Sequence, residues 1–371
     1  MVERVSNTRL TRSGALDALR FLASGFIVVF HAGFQAPTPL RALHPFFERG
    51  YLATDFFLIL SGFVLASAYG QAILASRLSL GQFMARRLVR LYPAHLIMLG
   101  ALVVMVLASA ALGHRLTHPE QYAWSALPAH LLLAHGWGFA PDTWNAPSWS
   151  ISALMACYAV FPGLWPWLQR LRRADLCLVA VLALLAGSDL LAHVLLGRSE
   201  FSLPFQWALA RAFPLFLVGL ILARLVQVAG LGLNAARVLG LASAAAFTAN
   251  AIASGPDIVG VLATVGVIVG CGASPGGRRW PGAAWGAKIS FSLFITHSVT
   301  SAFYTGIMDL LLGRTHPDLT VRWLIWGMEL VVALAVAAAY HSLVDEPMQR
   351  WLRARLFSLR PAPGPAQAQS A

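Results

Sequence analysis

Apolar runs long enough to cross a bilayer recur along almost the whole chain, and nothing else limits its fold as strongly. A crossing needs roughly 20 residues. Ten such runs are read, at 17–35, 52–72, 91–112, 147–167, 175–196, 205–226, 236–254, 257–274, 287–312 and 321–344. In lipid each backbone N–H and C=O must be satisfied within its own segment. The runs are therefore expected to be helices, and the chain an all-α polytopic membrane bundle. Charged residues make up 11% of the sequence, against about 25% in a soluble domain. That is too little polar surface to cover a water-soluble body of 371 residues.

The formal charge of +12 raises the question of a nucleic-acid partner. The placement of the basic residues argues for a lipid bilayer instead. With the N-terminus inside, 20 of the 27 Lys and Arg fall on inner segments and six on outer ones, with Arg211 alone inside a span. Cytoplasmic loops carry this kind of excess. Both termini are therefore expected in the cytoplasm, and no nucleic acid is expected as a partner. The first apolar run follows Arg4, Arg9, Arg12 and Arg20. With so many spans after it, it reads as the first helix of a polytopic protein and not as a cleavable signal.

Metal chemistry finds little support. Cys157, Cys177 and Cys271 lie in apolar stretches without a CxxC pair, so neither a zinc site nor a disulfide framework is expected. The outer loop 113–146 holds His114, His118, His130 and His135 at irregular spacing, and no metal is expected there. Its segment "WSALPAHLLLAH" is read as a short interfacial helix.

Charged groups inside a span are costly and face a cavity or a partner. His31 lies toward the outer end of span one, and Arg20, 11 residues earlier, about 16 Å nearer the inner surface. Asp55 opens span two from the outside, at similar depth to His31. The pair is read as an Asp–His general base, or as a hydrogen bond that only holds two helices. Arg86 and Arg90 share one helical face at the inner mouth of span three. Two guanidinium forks suit a polyphosphate, and an ordinary positive-inside anchor is the plainer alternative. Asp345 and Glu346 are candidate counter-ions for that cluster or for Arg20. Arg211 either stabilises an oxyanion or pairs with Asp55, Asp189 or Glu329. His297 sits near mid-membrane, where a structural role competes.

These motifs together resemble the acyltransferase-3 family of membrane acyltransferases, which modify bacterial surface sugars. The matching pieces are "LDALRFLASGFIVVFH", "GYLATDFFLILSGF", "RRLVRLYP", "NAPSWSIS", "SFSLFITHS" and "DEP", in order from residue 15 to 352. The resemblance implies O-acyl transfer, most simply of acetyl, from cytoplasmic acyl-CoA (acetyl-CoA) to a hydroxyl of an extracytoplasmic saccharide or glycolipid. It implies a bacterial inner-membrane location, His31 as catalytic base and Asp55 as the second-helix acid. Arg20, Arg86 and Arg90 are implied on the CoA side. Residues 1–357 would form the transmembrane acyltransferase domain and 358–371 a disordered cytoplasmic tail.

One departure stands out in "WSISALMACY". The family pattern reads Trp-Ser-x-Ser-x-Glu with a Tyr four residues on. Here Trp149, Ser150, Ser152 and Tyr158 match, but Leu154 stands where the Glu is expected. By depth, residue 154 is expected in the reaction zone near His31 and Asp55, so the activity of this sequence is in question. Ser150 and Arg211 are the candidates for holding an oxyanion. A pantetheine arm is expected to thread one channel from the inner arginines to His31. A transporter or flippase, and a catalytically silent scaffold for glycan assembly, are the rival readings.

Overall fold

A computed structural model describes residues 14–113, 116, 118–139, 144–274, 281–312, 315 and 317–357. The expected tail 358–371, together with Arg4, Arg9, Arg12, His114, Arg115, Arg278, Arg279 and Arg314, lies outside the described residues. Helices dominate, and no strand occurs among the described residues. Among those residues, ten long helices stand where ten spans are expected. They are α1 (Gly14–Ala32), α2 (Leu52–Leu74), α3 (Leu80–Ala111), α5 (Trp149–Leu168), α6 (Ala174–Leu196), α7 (Ala208–Ala229), α8 (Leu233–Ile252), α9 (Asp257–Gly272), α10 (Ala283–Leu312) and α11 (Leu319–Tyr340). A five-residue α4 (Leu127–Leu131) and a final amphipathic α12 (Glu346–Phe357) complete the set.

Eight of the ten are both long and apolar enough to cross a membrane. The other two fall short for separate reasons. Helix α9 has only 16 residues. Helix α10 has 30, but Ser290, Ser292, Thr296, His297, Ser298, Thr300 and Ser301 run through its middle. Local chemistry sets several ends. Ser79 and Gln82 form a reciprocal capping box at the start of α3, each bond 3.2 Å. Asp318 accepts from the Val321 amide to start α11. Helix α11 ends in a π turn, His341–Asp345, just before Pro347, which has no N–H to continue an α ladder.

At the centre α2 and α7 pack backbone to backbone. A Cβ on Gly219 would strike the Ile59 carbonyl, and one on Gly62 the Phe216 carbonyl. Helix α5 packs on this pair, and α5 and α7 are each 56% buried over their apolar windows, against 17% for α6 and 11% for α8. Helices α6 and α8 are therefore the lipid-facing flank. Helices α1, α10 and α11 form a second group, with the Ser24 hydroxyl bonded to the Ser290 carbonyl at 3.0 Å. The end of the bundle bearing Arg86 and Arg90, expected from the sequence to face inward, is called the inner end, and the opposite end the outer one.

The outer loop departs from expectation. Helix α4 does not lie at an interface; with the following turn it dips into the bundle, where the His130 carbonyl accepts from His95, halfway along α3, at 2.8 Å. Ser152 of α5 clamps the turn, accepting from the Gly136 amide at 3.0 Å and donating to the Leu133 carbonyl at 2.6 Å. Short backbone contacts of the α2–α7 kind tolerate no added volume. Gly219→Leu is therefore expected to cost about 3 kcal/mol and to abolish the monodisperse peak in detergent. Gly187→Leu, where a Cβ meets nothing within 4 Å, should leave it intact.

Candidate active site

The packing of α1 on α10 brings together the two imidazoles of the first candidate site, His31 from the last turn of α1 and His297 from the middle of α10. His31 Nδ1 lies 2.9 Å from His297 Nε2, the rings stacked with centroids 5.0 Å apart. His297 Nδ1 lies 2.8 Å from the Phe294 carbonyl and 3.2 Å from that of Leu293. Those oxygens only accept, so Nδ1 carries the His297 proton and Nε2 is left to accept. His31 Nδ1 must then be the donor, which leaves His31 Nε2 as a bare lone pair. Partner chemistry alone assigns both tautomers.

Asp55 does not orient His31. It forms a two-pronged ion pair with Arg211, Nε to Oδ1 at 2.8 Å and Nη2 to Oδ2 at 2.9 Å. Asp55 is fully buried and Arg211 nearly so. The reason is direction: Asp55 points into the α2–α7 seam, where Arg211 meets it. Around this pair, Arg49 and Tyr51 both donate to Asp257 at 2.5 Å, and the Arg211 guanidinium lies 5.8 Å from the Trp149 ring centre.

A cavity of about 1540 Å³ opens at the outer end, and His31, His297, Tyr51, Trp149, Arg211 and Glu329 all line it. On α1 its innermost lining residues are Ile27 and Val28. Arg20, Arg86 and Arg90 do not line it. Below it the α1–α10 seam is filled by Ser24 and Ile27, at 0% and 1% exposure. This cavity therefore stops short of the inner arginines. At the inner end Arg90 binds both oxygens of Asp345, at 2.9 and 3.0 Å, and lies over the Phe291 ring. Arg87 donates to the Tyr69 hydroxyl at 2.6 Å. Arg20 lies 3.7 Å from Asp17.

Two further sequence expectations change. The Ser150 hydroxyl donates to the Pro147 carbonyl at 3.2 Å, which spends its only proton within its own turn. Leu154 is half-buried against the apolar core and is not among the residues lining the cavity. Arg211 has its counter-ion without any help from position 154.

Sequence reasoning missed Gln35, Ser301, Glu200 and His95, and it named Glu329, His130 and His135 without the partners they have here. Glu329, 4% exposed, accepts from Ser301 at 2.6 Å, and Gln35 lies 3.2 Å from the same hydroxyl. The available signal was spacing: Gln35 and Ser301 each follow a site histidine by four residues, so they stand one turn above it. Glu200 is 1% exposed with neither carboxylate oxygen hydrogen-bonded, and burial pushes it up to about 8. His95, His130 and His135 stack with parallel rings, His130 and His135 only 3.9 Å apart. Exposed His118 stays outside that stack, beside Glu120.

A family model and one of two relatives carry acyltransferase names. A family model described as an acyltransferase domain, Acyl_transf_3, matches residues 13–341. "Protein 2 in picA locus" of Rhizobium radiobacter is 31% identical over 166 residues, covering 39% of this chain and 78% of that protein. "Acyltransferase MdmB" of Streptomyces mycarofaciens is 30% identical over 187 residues, 47% of this chain and 45% of that protein. The chain thus spans less than half the length of the second relative. No solved structure matches.

Removing one partner of a buried ion pair strands the other, at about 3–5 kcal/mol. Asp55→Leu and Arg211→Met are each expected to lower the melting temperature sharply. The double variant should recover most of that loss, measured by thermal scanning in detergent.

Proposed function

The chain belongs to the acyltransferase-3 family, and from that premise we propose that it moves an acyl group, most simply acetyl, from cytoplasmic acyl-CoA to a hydroxyl of a saccharide or glycolipid at the outer face of a bacterial inner membrane. The observation that carries this reading is the His31–His297 pair opening on the outer cavity. A neutral imidazole whose Nδ1–H is held by an acceptor presents Nε2 as a base, the arrangement used by orienting groups in hydrolase triads. Here a second imidazole, fixed by backbone carbonyls, takes the role expected of Asp55.

In this reading His31 Nε2 takes the proton of the acceptor hydroxyl as its oxygen attacks the thioester carbonyl. The tetrahedral oxyanion collapses, the C–S bond breaks, and the proton passes from His31 to the leaving thiolate. Arg211 binds Asp55 through Nε and Nη2, so Nη1 is the group suited to face the oxyanion, and Ser150 is not. An acyl-histidine intermediate would use the same lone pair. The inner arginines remain the proposed contact for the CoA phosphates, with both termini in the cytoplasm and residues 1–357 acting as one domain. Donor delivery then requires the seam at Ser24 and Ser290 to part.

Arg86→Ala is the cleaner test of donor binding, because Arg90→Ala would strand the buried Asp345. In nanodiscs, labelled acetyl-CoA should bind the unaltered protein, and Arg86→Ala should weaken that binding. His31→Ala should abolish transfer to a surface-glycan extract without weakening donor binding. His297→Ala should lower kcat by about 10²–10⁴-fold. If the unaltered protein fails to bind the donor, the scaffold or transporter reading replaces this one. Leu154→Glu tests the altered position in the same assay. Because the site is already charge-balanced and Leu154 lies outside the cavity, no gain in transfer is expected, and the protein should melt earlier. A clear gain would return position 154 to the reaction.

A further inference from the structure

The walls of the outer cavity differ in character, and the difference bears on what carries the acceptor hydroxyl. Toward the inner end α3 and α10 are held together by Arg90 over Phe291, with the ring centre 4.5 Å away. Toward the outer end the same two helices form opposite walls of the cavity. On α3 and its C-cap the wall includes Leu102, Met105 and Leu112, with Ser109 among them; on α10 it includes Phe303, Ile307 and Leu310, with Thr305 and Asp309 between them. The spacings place each trio on one face of its helix. Leu112 is 82% exposed, Leu310 73% and Ile307 51%, so among the described residues none covers the outer edge of either wall. On helices that cross a bilayer such an edge meets lipid. In a bilayer, such edges would open the cavity sideways onto hydrocarbon.

The opposite wall is polar. One turn above the histidine pair, Ser301 joins Glu329 and Gln35. Ser301 occupies one acceptor position of a carboxylate that offers about four, and the Gln35 amide supplies donors. A hydroxyl-bearing head fits here, within reach of His31.

We infer that the acceptor is an amphipathic, lipid-borne alcohol or sugar, which enters sideways from the bilayer between the outer halves of α3 and α10. Its head lies against Glu329, Ser301 and Gln35, and its hydrocarbon chain lies in the apolar split. This rests on the reading of His31 as the base, and narrows the saccharide or glycolipid of that reading to the lipid-borne class. A free sugar has nothing to place against Leu102, Met105 and Phe303. A donor acyl chain would use the same wall, so the test separates the two.

Gly306 supplies the test variant. It lines the cavity, and a Cβ there meets nothing within 4 Å. Gly306→Phe adds a ring at a cavity-lining position whose Cβ has room, and Gly306→Ala is the control. The probe is dodecyl glucoside with a diazirine at its chain end, photolysed on the protein in nanodiscs and mapped by peptide. Labelling is expected to concentrate on 102–112 and 303–310 over the lipid-facing α6 and α8. Unlabelled dodecyl glucoside should compete, and glucose should not. Gly306→Phe should reduce labelling by about tenfold, the effect of losing burial of roughly two methylenes, and Gly306→Ala should not. Even labelling of α6 and α8, equal competition by glucose, or indifference to Gly306→Phe would overturn the inference. Competition by octanoyl-CoA without competition by the glucoside would overturn it in favour of the donor chain. Site-specific labelling without any acyl transfer would leave the inference standing and sink the catalytic reading. Transfer to glucose as efficient as transfer to the glucoside would do the reverse.

Discussion

The contact between α2 and α7 governs the rest of the site. Gly62 and Gly219 let the two backbones touch, and that contact fixes register as well as distance. Gly62 meets residues 216–220 and Gly219 meets residues 59–63, so the helices run parallel with an offset close to 156. The same offset separates Asp55 from Arg211. Two turns outward from the glycines, the carboxylate and the guanidinium therefore meet in line, and a pair of charges costly to bury singly becomes admissible. Arg211 then stands at the cavity wall beside Trp149 and Tyr51, its charge balanced.

Much of this was legible in the sequence. Run lengths placed nine of the ten helices within a few residues of where they lie, because backbone satisfaction in lipid leaves the chain little choice; α3 begins 11 residues before the expected start at 91. Rise per residue placed His31 and Asp55 at one depth. It did not say which way each side chain points, since azimuth is set by helix–helix packing that a single sequence does not display. Asp55 turned to Arg211 for that reason, and His31 to His297. The outer loop was misjudged for a related reason. Its apolar segment suits an interface by composition, yet Ser152 and His95 offer hydrogen bonds that draw it inward. Position 154 shows the limit of depth as a guide: Leu154 is at the right level on the wrong face.

The two ends of the bundle are built on different terms. The inner end is tied by Arg90 to Asp345 and by Gln349, whose amide donates to the Val89 and Arg90 carbonyls. The π turn before Pro347 sets the angle at which α12 arrives there. The outer end is hollow, with one polar group on α1, α10 and α11 and another around Arg211, Tyr51 and Asp257. An acyl donor from one side and an acceptor from the other would meet at the His31–His297 pair, where the packed half gives way to the open half.

The parallel pairing of α2 and α7 also bears on how the protein is made. Asp55 emerges from the ribosome 156 residues before its counter-ion, roughly 8–30 s earlier at 5–20 residues per second. During that interval α2 must wait as an acidic helix with no partner, held protonated or sheltered by the insertion machinery. Loss of Arg211 would then register as failed membrane integration and degradation before it could register as lost catalysis.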